Sequence, residues 1–320
     1  MVDAPARRGR RSLDHAPVRV MSARANLPTR LRDLVSRREL LSGLIKSDIK
    51  IKYKGSVLGL FWSMLAPAFT LGIYYLVFSV VLKNGIPNFV IYLFSGLIVW
   101  NLFMNAVSGA TGVIVDRAGL VKKVSFPREI LALSNVGAAV IYFLIQLVVL
   151  ALLLAVFGHA PAWGFLWILP ISFAALYLLT ASVAIVMSAV TVYLRDVRHL
   201  MDVLLQLWFW LTPVVYSYEH SIAAALHHHG IAWIYFLNPV TLIVLTFQRI
   251  FYVNQTVFAT STVHSAISNT QVHTLLNVLP TWPMSTYFYL NAALLGIMAV
   301  VFLVAESIFG RLEGNFESEL

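Results

Sequence analysis

The 320-residue chain contains no cysteine, which excludes disulfides and thiolate metal sites. Charge is scarce as well: 12% of residues are Asp, Glu, Lys or Arg against 59% hydrophobic, and the mean hydropathy is +0.81. A chain this apolar cannot hide its side chains in one soluble core, so the composition is that of a polytopic membrane protein. No G-x-x-x-x-G-K-[ST] motif is present, hence no P-loop, and any ATP-driven work has to come from another chain. The apolar runs hold almost no ionisable residues, which disfavours a proton- or sodium-coupled carrier. Ser95 lies in LFSG, but an intramembrane serine protease wants G-x-S-G and position 93 is Leu, so catalysis has little support.

The cations that are present are unevenly placed. Of 23 Lys and Arg, 14 precede residue 55, so the net charge of +9 is local, and no nucleic-acid partner is expected. The first 30 residues carry seven Arg and no apolar h-region; they read as a disordered cytoplasmic tail, not a cleavable signal peptide. From 31 to 56 the pattern becomes that of an amphipathic interface helix, with Ser36 and Glu39 as a capping box and Leu40, Leu41, Leu44, Ile45 and Ile49 on one face. Lys46, Lys50 and Lys54 recur every four residues along another face, and Lys52 is expected to pair with Asp48.

Apolar spans follow at about 57–82, 89–115, 130–157, 165–194, 203–218 and 284–309. A further stretch at 231–252, IAWIYFLNPVTLIVLTFQRIFY, has the length of a span, but Asn238-Pro239 breaks it, and two short re-entrant helices are expected instead. Six spans with the N-terminus inside put Arg117, Lys122, Lys123, Arg128, Arg195, Arg198 and Arg311 in inner loops, against Lys83 and Arg249 outside. Seven spans would place 253–283, which has no Lys or Arg, in the cytoplasm. The expected fold is therefore an all-α polytopic domain over 57–310, with a cytoplasmic tail at 311–320 and both termini inside.

Two readings of the interface lysines stay open. They mark the inner leaflet and attract anionic lipid, at about 1 kcal/mol each, or they hold a membrane partner's acidic face or the diphosphate of a lipid-linked substrate. Trp62, Phe69, Tyr74 and Tyr75 in the first span and Trp208, Phe209, Trp210 and Tyr216 around the fifth are either interfacial anchors or a path along which sugar rings slide. Gly55 and Gly59 form a small-xxx-small pair suited to close helix approach. His220, His227, His228, His229, His264 and His273 lack metal-ligand spacing and read as a solvated loop.

Four blocks carry a resemblance: KSDIKIKYKGSVLGLFWSMLAP at 46–67, LVKKVSFPREILALS at 120–134, YLRDVRHLMDVLLQLWFWLTPVVYS at 193–217 and YFLNPVTLIVLTFQRIFY at 235–252. Together, and in this order, they resemble the permease subunits of ABC-2 type polysaccharide exporters, which export O-antigen, teichoic acid and related glycans, over about residues 31–311. The resemblance implies a homodimer joined to two copies of a separate ABC ATPase, with ATP and Mg on that partner and no cofactor in this chain. The substrate it implies is a lipid-diphosphate-linked polysaccharide, moved across a bacterial inner membrane. It further implies an ATPase-docking segment with Lys122, Lys123, Phe126, Pro127 and Arg128, helped by Arg195 and Asp196, and an outer gate within 219–283. The departures are the Arg-rich N-terminal tail and the His-rich loop. Richness in Ala and Arg points to a GC-rich genome and a cell-wall galactan as the glycan. The other class of function is a membrane scaffold or enzyme that handles lipid-linked glycan without export.

Overall fold

The computed structural model describes residues 27–52, 54–56, 58–124, 126–219, 232–264 and 269–319. It opens with α1 (Leu27–Ser36) and α2 (Arg38–Lys52). The helical region therefore begins inside the stretch expected as a tail, and Arg30 is buried. Ser36 turns its hydroxyl back to the Asp33 carbonyl at 2.8 Å, where the sequence suggested a capping box. Gly55 (φ +79°) and Gly59 (φ +49°) adopt left-handed conformations open to residues without a Cβ. They form the turn after α2 and are not a helix-packing pair.

Among the described residues, five helices are long and apolar enough to cross a membrane: Met64–Val81, Phe89–Thr111, Glu129–Val156, Trp163–Tyr193 and Met284–Asn315. The first consists of α3 (Trp62–Tyr74) continued by a π-helical stretch to Val81, and none of its apolar window is buried within the chain. The second is α4 (Phe89–Thr111), followed by two short helices, α5 (Val113–Asp116) and α6 (Ala118–Val121). The third is α7 (Glu129–Val156). The fourth enters through a 3-10 turn and becomes α8 (Leu169–Tyr193), with a proline in its first turn, where the missing N–H costs nothing.

The segment expected as a span at 203–218 departs from that expectation. It is α9 (Val197–Trp210), a 14-residue helix of about 21 Å, short of a hydrocarbon core of about 30 Å. Pro213 explains its end, because proline disfavours helix in the residue before it. Most of the irregular backbone that follows is buried, and side chains satisfy two of its carbonyls. The Tyr92 hydroxyl donates to the Tyr216 carbonyl at 2.7 Å and the Gln248 amide to the Pro213 carbonyl at 3.2 Å.

The break at Asn238-Pro239 is present: a 3-10 turn over Ala232–Leu237 gives way to α10 (Pro239–Phe251). Asn238 is extended, and its side-chain oxygen accepts from Val240 N at 3.1 Å and Trp208 Nε1 at 2.9 Å. The chain then makes an antiparallel hairpin, β1 (Thr256–His264) with β2 (Asn269–Asn277), the only strands among the described residues, which departs from the expected all-α domain. Both strands are rich in Thr and Val, whose branched side chains suit a pleated backbone. The last span is α11 (Met284–Leu312).

The core is built around α4, which is packed by α7, α8, α9 and α10. Towards one end the shared core includes many small residues, Ala106 and Ala110 of α4, Ala132 and Ala139 of α7 and Ala181, Ala184 and Ala189 of α8, among larger ones such as Leu131, Val136 and Ile185. In a bilayer, helices gain little by hiding from water, so close approach across small side chains has to supply the association.

Candidate functional site

The end of the bundle that carries Lys122 and Lys123 gathers most of the charge in the described residues. Gly112 ends α4, and a Cβ there would lie 2.8 Å from the Arg198 guanidinium carbon. Glycine lets Arg198 pass over the backbone to Asp116, which accepts from it at 2.9 and 3.2 Å. The next residue, Arg117, turns the other way and pairs with Asp48 of α2. The second Asp48 oxygen accepts from Ser134 of α7 at 2.8 Å. Adjacent residues of one loop thus hold α9 and α2 respectively.

Lys122 and Lys123 are exposed, whereas Val121, Phe126 and Pro127 are buried and pin the loop to the bundle. Arg128 does not share the exposure of the two lysines: it donates to the Glu313 carbonyl at 3.2 Å and lies 4.0 Å from that residue's carboxylate. Glu313 also accepts from Arg30 at 2.9 Å, and Arg30 donates to Glu129 at 3.1 Å. Glu306 is fully buried within electrostatic reach of Arg30, Glu129 and Glu313. This cluster ties α1, the start of α7 and the end of α11 together. Arg195 and Asp196 are exposed just before α9.

Lys46 and Lys50 on α2 and Lys54 in the turn after it are exposed. The expected Lys52–Asp48 pair is absent, because Asp48 is occupied by Arg117 and Ser134. The Lys52 ammonium lies instead 4.6 Å from the centre of the Tyr142 ring, and partial burial lowers its pKa. Nor does α2 only lie on a surface: Ile45 packs onto Gly137 of α7, where any Cβ would overlap it.

The aromatic residues divide. Trp62, Phe69, Tyr75 and Trp210 are exposed, while Phe209 is buried and Tyr74 stacks on it with ring centres 5.8 Å apart. Trp208 is held by Asn238 and meets Phe103 edge to face at 5.0 Å. The Tyr216 hydroxyl donates to the Trp210 carbonyl at 2.7 Å and touches the Tyr235 hydroxyl. The first four are therefore on a surface, and the others build the wall behind it. No group of three His, Asp or Glu suited to a metal occurs among the described residues; His220 and His227–His229 lie outside them. Residues 220–231 of the expected gate also lie outside.

Sequence reasoning missed Asp116, Arg117 and Arg198 as partners. Their signal was position: Asp116 and Arg117 stand side by side at the end of a span, in a chain with 14 Asp and Glu.

Residues 39–252 match the model of the ABC-2 type transporter family. The chain is 32% identical over 222 residues to the O-antigen export system permease protein RfbA of Myxococcus xanthus, covering 69% of this chain and 84% of that one. It is 29% identical over 213 residues to a protein of the same description from Klebsiella pneumoniae, covering 67% and 80%. Five apolar helices, a preceding helix α2 and a charged loop at one end of the bundle accompany these matches. The chain is a multi-pass membrane protein and belongs to the ABC-2 type transporter family.

Proposed function

We propose that this chain is the permease subunit of an ATP-driven exporter that moves a lipid-linked polysaccharide across the plasma membrane. The observation that carries the reading is the match to O-antigen export permeases over two thirds of the chain. The missing P-loop supports a separate ATPase, two copies of which join a homodimer of this chain and bring ATP and Mg. In this reading α9 and the turn after it complete a six-span topology with both termini cytoplasmic, α10 and the preceding turn form the re-entrant pair, and Lys122 and Lys123 meet the ATPase. The exposed aromatics on α3 and α9 face the second copy and the glycan path between them.

The test is copurification of the tagged chain with a P-loop ATPase from its native membrane, together with analysis of lipid-linked glycan in depleted cells. Accumulation of the glycan on the inner leaflet and recovery of the ATPase are expected. Depletion with normal glycan export refutes the proposal.

A further inference from the structure

Between α2, α4 and α7 lies a cavity of about 280 Å³, with Asp48, Lys52, Asn105, Arg117, Asn135 and Tyr142 in its wall. Small-ligand pockets run from about 300 to 1,000 Å³, so this one suits a headgroup and not a glycan chain. Its wall holds two cations, one carboxylate and two amides in a chain that is otherwise poor in charge. The carboxylate does not cancel the cations evenly. Asp48 is already anchored by Ser134, and Arg117 has five N–H donors, of which the ion pair engages only part. Lys52 is kept at the wall by the Tyr142 ring and not by an acid. Gly109 makes room for the amide, since a Cβ there would stand 2.8 Å from Asn135 Oδ1.

Asn105 and Asn135 each spend one amide N–H on a backbone carbonyl, of Asn101 and Leu131, which leaves two cations and a second N–H on each amide; these match the chemistry of a phosphate, which accepts several charge-assisted hydrogen bonds at once. We propose that this cavity binds the phosphate of a lipid headgroup, with Lys52 and Arg117 as its charged ligands and Asp48 as an internal competitor for Arg117. A phosphate in the cavity draws Arg117 from Asp48. Arg117 belongs to the loop that carries Lys122 and Lys123, so occupancy alters what fastens this loop to α2. The phosphate site stands on its own geometry. Only the choice of a lipid diphosphate over a bulk phospholipid as its source rests on the export reading.

The test uses the full chain in an uncharged detergent, titrated separately with farnesyl diphosphate and short-chain phosphatidylglycerol and followed by phosphorus NMR. Wild type is expected to saturate. Lys52→Gln and Arg117→Gln each weaken binding about tenfold or more, the scale of one charged hydrogen bond, and Lys52→Arg retains it. Asp48→Asn tightens binding, because it frees Arg117; a purely structural ion pair would give the opposite sign. Lys52 keeps part of its surface exposed and forms no ion pair among the described residues, so Lys52→Gln tests the site even where Arg117→Gln fails to fold. Tighter binding of the diphosphate supports a lipid-diphosphate source, and equal binding supports the site with a bulk headgroup as its ligand. The proposal is overturned by absence of saturable binding, by Asp48→Asn weakening it, or by Lys46→Gln/Lys50→Gln/Lys54→Gln weakening it while Lys52→Gln does not. These titrations need no ATPase, so they stand or fall separately from the export assay.

Discussion

Replacing Arg30 by Met removes one guanidinium from between two carboxylates, and its cost follows from their burial. The Glu129 side chain is 1% exposed and that of Glu313 17%, while Glu313 keeps Arg128 as a second cation. The charge left stranded is chiefly that of Glu129, with buried Glu306 nearby as a like charge. Breaking a buried pair by removing one partner costs about 3–5 kcal/mol. Arg30 also lies 5.7 Å from the centre of the Phe309 ring, a contact that Met replaces in part by packing. For a domain this size the loss corresponds to a fall in unfolding midpoint on the order of 10 °C. The assay is the fraction of detergent-solubilised chain that stays monodisperse after heating. Adding Glu129→Gln to Arg30→Met neutralises the stranded acid and should recover more than half of the loss. A single mutant as stable as wild type, or a double mutant no better than the single, refutes the view that Arg30 neutralises Glu129.

Three further expectations follow from the same end of the bundle. Lys122→Glu with Lys123→Glu, leaving Arg128 in place, should abolish stimulated ATP hydrolysis by the reconstituted complex while thermal stability stays at the wild-type level; unchanged stimulation removes these lysines from the coupling. Asp116→Arg or Arg198→Asp alone should lower export with little loss of stability, since a half-exposed pair contributes only about 0.2–1 kcal/mol, and the double charge swap should restore export. If the swap behaves no better than the worse single mutant, the pair is not what connects the loop to α9. Gly137→Leu should force Ile45 away and loosen α2 from α7, seen as faster proteolysis at Arg37 or Arg38; unchanged cleavage refutes that contact as the anchor.

The long apolar helices were legible because a bilayer demands length and hydropathy that are written locally, and the break at Asn238-Pro239 was legible because proline acts on its immediate neighbours. What stayed hidden depended on distant partners. Lys52 and Asp48 have helical spacing for a pair, but Arg117, 69 residues further on, takes the acid. Arg128 sits in a basic run with Lys122 and Lys123, yet it is folded onto Glu313, 185 residues away. Hydropathy likewise extended α9 to 218, because the apolar turn after Trp210 is buried by packing and not by lipid, with Tyr92 and Gln248 capping its carbonyls. The aromatic residues of α3 and α9 were found together, but which faced outward depended on the rotation of each helix.

The first span has no buried residue in its apolar window, and this bears on biogenesis. A helix that buries none of its apolar window in the rest of its chain can enter the bilayer as soon as it leaves the ribosome, with side contacts such as Tyr74 on Phe209 added later. Helix α4, by contrast, reaches its final surroundings only after α10, more than a hundred residues later in synthesis, has been made. The order of translation therefore leaves the centre of the bundle waiting for its last wall, while the outermost helix is settled first.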